Sequence, residues 1–167
     1  MTPKLNSMRW LEQNKIPYEV FEYPDSIRDA EEVAEVLGVP YFSLYKTLIL
    51  EPINDPTQKK PFIVMLACDR QLDLKLMAKA SRQKKVTLLA HKDAEAQTGL
   101  QVGGISALAL RDKSWAVYLD SPATELQHIV ISAGQRGLQL RVPVTPLVTL
   151  LKARIVDVSK PMDDEAD

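Results

Sequence analysis

The alternation of hydrophobic and polar positions is clearest over residues 44–51, Leu-Tyr-Lys-Thr-Leu-Ile-Leu-Glu, with Pro40 and Pro52 on either side. β-Branched and aromatic residues run together there without a glycine, which predicts a strand. Successive side chains of a strand point to opposite faces, so Leu44, Lys46, Leu48 and Leu50 share one side and Tyr45, Thr47 and Ile49 the other. Lys46 is then the only charge in an apolar row, on a strand expected to be buried on both faces. Residues 62–68 form a continuous apolar run, predicting a central strand that pairs with the first as an antiparallel hairpin across the polar connection 54–60.

The remaining pattern divides between helices and short strands. Thr2-Pro3 reads as a cap before a helix with Leu5, Met8 and Leu11 in its stripe, stopping near Asn14-Lys15. Residues 18–23 predict a strand, and Asp29 with Glu32 predicts a capped helix whose Val33, Val36 and Leu37 face inward, closed by Gly38. Asp73 opens a helix with Leu74, Met77 and Ala78, and 84–89 returns as a strand. Asp93 starts a short helix over 94–97; 105–110 and 115–119 read as two strands. Residues 128–132 and 138–142 predict a hairpin turning on 133–137, Thr145-Pro146 opens a last helix, and 155–158 is a closing strand. Strands outnumber helices without regular alternation. The expected fold is a single α+β domain over 1–160, with a mixed, curved and barrel-like sheet flanked by helices, followed by an acidic tail over 161–167.

Composition narrows the function classes. A chain of 167 residues, 46% hydrophobic and 26% charged, suits one soluble domain with a real core. The net charge of −1 excludes a global basic field for nucleic acid, and the local cluster Lys75, Lys79, Arg82, Lys84 and Lys85 reads as a solvated helix face and turn. No apolar run approaches the length of a membrane span and the N-terminus shows no signal-peptide pattern, so a cytoplasmic protein without membrane contact is expected. Cys68 is the only cysteine, which leaves no intrachain disulfide and no cysteine-rich metal site. In its apolar run it reads as a small buried hydrophobe rather than a nucleophile.

Candidate chemistry gathers in three stretches. Lys46 either carries its ammonium out to water along a buried stem or needs an anion in a site. In Gln101-Val-Gly-Gly-Ile-Ser106 the paired glycines let backbone approach a ligand, and successive amides there can face an oxyanion; a tight turn opening a strand is the plainer reading. Ser132-Ala-Gly-Gln-Arg-Gly137 sets a hydroxyl and two glycines beside Arg136, which could meet a phosphate or simply be solvated. His91 and His128 lie far apart with no carboxylate or cysteine at ligand spacing, so no metal site is expected. No Gly-x-Ser-x-Gly elbow supports a hydrolase triad. Trp10 and Trp115 read as packing residues rather than base-stacking platforms.

Three motifs in order, Tyr45-Lys-Thr-Leu48, Val102-Gly-Gly-Ile-Ser106 and Ser132-x-Gly-x-Arg-Gly-Leu138, resemble the YbaK/EbsC group of aminoacyl-tRNA deacylases, relatives of the editing insertion of bacterial prolyl-tRNA synthetase. The similarity extends over nearly the whole chain. It implies hydrolysis of mischarged aminoacyl-tRNA in trans, typically Cys-tRNA(Pro), without metal or other cofactor, with prolyl-tRNA synthetase a candidate partner. The resemblance makes Lys46 the residue on which activity most depends. Its role is open between holding the terminal adenosine, binding the amino acid and stabilising charge. Tyr23 is implied to line the pocket, and the loop Gly103, Gly104, Ile105 and Ser106 to offer amides to the ester carbonyl. Thr47, Ser132, Gly134 and Arg136 complete the implied substrate-binding set. A cysteinyl ester would be cleaved by its own thiol, so the protein needs no nucleophile. Three positions depart from the family pattern: Leu100 in place of tyrosine, Ala107 in place of proline, and Gln139 in place of an acidic residue. Loss of the proline, which fixes φ, could loosen the glycine loop. A non-catalytic module that binds tRNA or nucleotide, acting with a synthetase, is the alternative these departures suggest.

Overall fold

The first helix, α1 (Asn6–Gln13), buries Ser7, Met8 and Leu11 and starts after Leu5, which provides no side-chain cap. The cap expected at Thr2-Pro3 is therefore displaced. Pro3 lies ahead of the helix, and Thr2 falls outside the residues that this computed structural model describes, 3–57 and 60–162, as does the acidic tail from 163. The stop at Asn14-Lys15 is as expected, with Lys15 in the left-handed region at φ 57°. Strand β1 (Glu19–Glu22) leads to α2 (Ala30–Leu37), where the Asp29 carboxylate accepts from the Glu32 amide at 3.3 Å and Gly38 closes the helix at φ 70°. Its buried stripe runs through Ala30, Val33, Ala34 and Leu37, spaced i, i+3, i+4, i+7. Val36 lies off that stripe and is 54% exposed, contrary to the inward position expected of it.

The central hairpin forms as the pattern predicts. β2 (Tyr45–Pro52) pairs antiparallel with β3 (Phe62–Ala67), with Lys46 opposite Leu66. All six residues of β3 are buried, consistent with its unbroken apolar run. Each large aliphatic or aromatic side chain so buried contributes about 1.5–3 kcal/mol. β2 is not buried throughout, because Lys46, Thr47 and Leu48 are only partly covered.

Beyond the hairpin come β4 (Arg70–Leu72), α3 (Leu74–Ala80), β5 (Val86–Leu88) and α4 (His91–Thr98). Asp73 caps α3 by accepting from the amides of Lys75 and Leu76, both at 3.0 Å. α4 begins two residues before Asp93, which sits in its first turn, where a negative charge suits the helix N-terminus. The apolar run 105–110 is buried for most of its length but is not the strand its composition suggests. It bends into a 3-10 turn, Ala107–Ala109, capped by the Ser106 hydroxyl oxygen accepting from the Leu108 amide at 3.1 Å. The pattern there reported burial, which a turn satisfies as well as a strand.

The chain continues through β6 (Val117–Asp120), β7 (His128–Ser132), β8 (Leu138–Pro143), α5 (Val144–Leu151), β9 (Arg154–Val156) and β10 (Ser159–Pro161). In α5 the Thr145-Pro146 pair lies in the first turn and not ahead of it; a proline is tolerated there because the first amides of a helix have no intrahelical partner. The fold is α+β, as expected. The described residues form an open five-stranded sheet in the order β5-β2-β3-β6-β9, a three-stranded sheet β1-β8-β7 and a two-stranded pair β10-β4. None of these sheets closes on itself. No closed barrel therefore forms among them; one isolated backbone bridge, between Leu44 and Val130, joins the two larger sheets, whose side chains also pack together in the core.

One face of the large sheet packs Ile49, Ile63, Met65 and Leu119 against α1 and the 3-10 turn. Its other face packs Leu50, Phe62, Val64 and Tyr118 over α3. A smaller cluster of Tyr23, Val33, Leu44, Cys68 and Val130 fills the junction of the two sheets.

Candidate active site

A cavity of about 770 Å³ opens beside that junction. Lys46 and Thr47 reach it from β2, Tyr23 from the end of β1, Ser132 and Gln139 from the β7–β8 pair, and Val102, Gly103 and Ile105 from the glycine loop. Arg28 and Glu31 near the start of α2 and His91 and Glu95 of α4 close the remaining sides. Gly104, Ser106 and Gly134 do not line it; they stand behind the wall and shape it.

Lys46 is half-buried in the row that holds the fully buried Leu44 and Leu50. Among the described residues no group hydrogen-bonds or ion-pairs its ammonium. Cys68 lines the same cavity but is only 2% exposed, and its thiol donates to the Tyr41 carbonyl at 3.2 Å. Burial pushes that thiol up to about 12, against the opposing influence of the Lys46 charge, so it stays protonated and a poor nucleophile.

The glycine loop is held by a clamp on one residue, Val102. The Val102 amide donates to a Glu95 carboxylate oxygen at 2.8 Å, and the Val102 carbonyl accepts from Arg136 Nε at 2.6 Å. Arg136, whose side chain is 16% exposed, also brings Nη2 to 3.9 Å from the same Glu95 oxygen. It is neither solvated nor available to a phosphate through Nε. Gly103 takes φ 92°, and a Cβ at Gly104 would come within 2.8 Å of the Arg136 amide nitrogen, so no larger residue fits there without moving backbone. The Gly104 amide is spent on the Gln101 carbonyl at 2.8 Å. Among the described residues the amides of Gly103 and Ile105 donate to no group, and both residues line the cavity. The absence of proline does not undo the loop, since Ala107 occupies the first position of the turn that Ser106 caps, and is itself buried.

Across the cavity, Tyr23 is fixed by its amide donating to the Gly137 carbonyl at 3.0 Å. Its hydroxyl accepts from Gln139 Nε2 at 3.2 Å, which leaves Gln139 Oε1 buried without a partner. Thr47 Oγ1 is likewise buried and unpartnered. Ser132 Oγ accepts from the Gly134 amide at 3.2 Å, tying the hairpin turn to the wall. Glu95 and Arg28 were not recognisable in the sequence, because each gains its place through contacts distant along the chain. Gln139 showed only as a departure from a pattern.

Among the described residues the cavity thus brings together residues carrying a cation without a partner, two unengaged amides and two buried unpartnered oxygens, a set of groups suited to a carbonyl, an anion and a hydrogen-bond donor. The profile describing the aminoacyl-tRNA editing domain matches residues 24–150. The chain belongs to this family. A relative from Enterococcus faecalis (strain ATCC 700802 / V583), named as a candidate Cys-tRNA(Pro)/Cys-tRNA(Cys) deacylase, EbsC, is 35% identical over 158 residues, covering 93% of each chain. The resemblance to the YbaK/EbsC group is thereby borne out, and aminoacyl-tRNA deacylation is the activity class the editing family carries. Two crystal structures share the fold. A hypothetical protein, APE2540, superposes with a TM-score of 0.81 at 22% identity, covering 93% of this chain and 100% of its own. A candidate trans-editing enzyme for prolyl-tRNA synthetase superposes with a TM-score of 0.78 at 18% identity, covering 95% and 99%. Among the described residues, no helix of this editing domain is long and apolar enough to cross a membrane, and no three His, Cys, Asp or Glu side chains are grouped to hold a metal ion.

Proposed function

We propose that the protein deacylates mischarged aminoacyl-tRNA in trans, with Cys-tRNA(Pro) as its substrate, by metal-free and substrate-assisted cleavage of the ester. The observation that carries this reading is that Lys46, unpaired among the described residues, lines one cavity with Gly103 and Ile105, whose amides are unengaged. The 35% identity to a candidate deacylase of Cys-tRNA supports the choice of amino acid. Prolyl-tRNA synthetase as a partner rests on the motif resemblance alone.

In this mechanism the Gly103 and Ile105 amides receive the ester carbonyl and stabilise the oxyanion that forms on it. Lys46 supplies positive charge to the terminal nucleotide or the developing anion. The cysteinyl sulfur attacks its own carbonyl carbon and the bond from that carbon to the ribose oxygen breaks. The ribose oxygen leaves with the thiol proton, and the amino acid departs as a cyclic thioester. Tyr23, Thr47 and Ser132 contact the aminoacyl-adenosine, while Gly104, Ser106, Gly134 and Arg136 hold the loop and turn in place.

The test is release of amino acid from mischarged tRNA by the wild type and by Lys46→Ala, across Cys-tRNA(Pro) and esters lacking a thiol. Lys46→Ala is expected to slow release by about 100-fold or more with an unchanged melting temperature. Equal rates would remove Lys46 from the mechanism. Equal hydrolysis of thiol-free esters would remove substrate assistance, and salt-sensitive tRNA binding without turnover would instead identify a binding module.

A further inference from the structure

A second cavity, of about 530 Å³, lies where α1, the segment before β6 and the end of α5 meet. Its floor is apolar, formed by Ile63, Leu110 and Leu150. Trp10 and Trp115 line it, both half-buried; each packs one part of its ring on the core and leaves another to the cavity. The packing role expected of these tryptophans is real but accounts for only part of each ring.

Cations surround the opening. The Arg111 guanidinium stands over the Trp10 ring at 4.9 Å from its centroid, and the Lys113 ammonium over the Trp115 ring at 5.9 Å. Lys152 stands on the other side of the rim, whereas Arg154 lines the cavity but turns its guanidinium to the α3 face of the sheet, 5.9 Å from the Tyr118 ring centroid. Arg111, Lys113 and Lys152 are all exposed, and the one carboxylate among the described residues lining the cavity or flanking these cations in sequence is Asp112, 4.0 Å from Arg111 Nε. Three cations thus stand at an aromatic-walled opening in a chain of net charge −1.

We propose that this cavity is an RNA-binding site, taking a single-stranded segment of the tRNA whose acylated end occupies the Lys46 cavity. This rests on the reading of the substrate as a tRNA ester. Single-stranded nucleic acid is held by a cationic groove that follows its phosphates and by aromatic rings on which its bases stack. Both elements are present here, and a guanidinium already stacked on an indole marks a ring face that accepts a planar partner. An acidic protein would satisfy the cations but leave the two indoles without a matching contact, so RNA is the occupant the chemistry favours.

The test measures uncharged tRNA binding to the full chain over a range of salt concentrations, alongside hydrolysis of full-length mischarged tRNA and of a short aminoacyl-adenosine ester. The variants are Arg111→Glu with Lys152→Glu, and the milder Lys113→Gln with Lys152→Gln, each checked by melting temperature. Both pairs alter exposed side chains outside the Lys46 cavity. The expected result is a Kd for tRNA raised at least about tenfold by the reversal pair, with the slope of log K against log salt reduced by about two. Hydrolysis of the short ester should stay at the wild-type rate. Unchanged affinity and salt slope in both pairs would overturn the proposal, as would loss of binding to a synthetase with tRNA binding intact. If the wild type binds tRNA through this face but cleaves no ester, the RNA site stands and the catalytic reading falls.

Discussion

Gln139 donates its side-chain amide to the Tyr23 hydroxyl at 3.2 Å, joining two residues 116 positions apart across the wall of the Lys46 cavity. The bond fixes which end of the amide is committed. Gln139 Oε1 is left a buried acceptor, 6% of the residue being exposed, with Thr47 Oγ1 unpartnered on the same cavity. An unsatisfied buried acceptor costs about 1–3 kcal/mol, a penalty relieved when a ligand brings a donor. An α-ammonium is the donor an aminoacyl group carries. Gln139→Leu should therefore leave the melting temperature unchanged or raised while raising KM for mischarged tRNA about tenfold. Tyr23→Phe, which orphans the buried amide nitrogen, should destabilise by about 1–3 kcal/mol. Thermal melts and steady-state kinetics of the two variants check this; an unaltered KM in Gln139→Leu would deny the acceptor a substrate role.

Val102 is gripped at both its amide and its carbonyl, by Glu95 and Arg136 respectively, and the held carbonyl shares its peptide group with the Gly103 amide, so the grip positions the start of the loop that leads to Ile105. Glu95→Ala removes one hold and leaves Arg136 without its carboxylate neighbour. Because the clamp acts through the loop, its loss should lower kcat about tenfold with a smaller effect on KM. Arg136→Lys keeps the charge but loses the planar fork, and should fall between Glu95→Ala and the wild type. Single-turnover rates decide the matter, since a purely structural role would move the melting temperature and leave kcat alone.

Much of this arrangement was legible in the sequence, and what escaped did so for identifiable reasons. Asp29, Gly38 and Asp73 declared their helices because caps act within a few residues of themselves, and the β2–β3 hairpin followed from composition. β4 and β10, three residues each, carry polar and proline residues without alternation, and pair only because β10 returns to lie on β4. The run 105–110 misled because hydrophobicity records burial and not backbone form. In the site, Lys46 and the glycine pair stood out as local anomalies, whereas the Glu95–Val102–Arg136 clamp exists only once distant segments meet.

Cys68 links the site to pH. Its thiol titrates at about 12, raised chiefly by burial from an ordinary value near 9.0. The folded chain thus retains a proton that the unfolded chain releases between those two values. Stability from this group is fully present below pH 9 and is lost as pH climbs toward 12; burial raises the Tyr45 hydroxyl in the same direction. Melting temperature should therefore fall steadily above about pH 9, and less steeply in Cys68→Ala. The same burial predicts negligible alkylation of the native thiol at pH 8, and deacylation by Cys68→Ala within about twofold of wild type. Rapid labelling with loss of activity would return Cys68 to the mechanism.

Asp120 provides the last test, one of stability away from the chemistry. It is 1% exposed at the end of β6 and accepts from the Val158 amide at 3.0 Å and from the Ser159 hydroxyl. Arg70 Nε donates to that same hydroxyl at 2.6 Å and lies 4.0 Å from the carboxylate. These contacts tie β6 to the β9–β10 connection and to β4, where hydrophobic burial is thin. Asp120→Ala would strand the Val158 amide and leave Arg70 without its buried counter-charge, so a loss of about 3–5 kcal/mol is expected. Asp120→Asn keeps one acceptor for Val158 and should lose less, about 1–3 kcal/mol. Urea unfolding of the two variants measures both values. A loss below about 1 kcal/mol in Asp120→Ala would mean that the two-stranded β10–β4 pair is held by other contacts, because an unpaired buried amide alone costs at least that much.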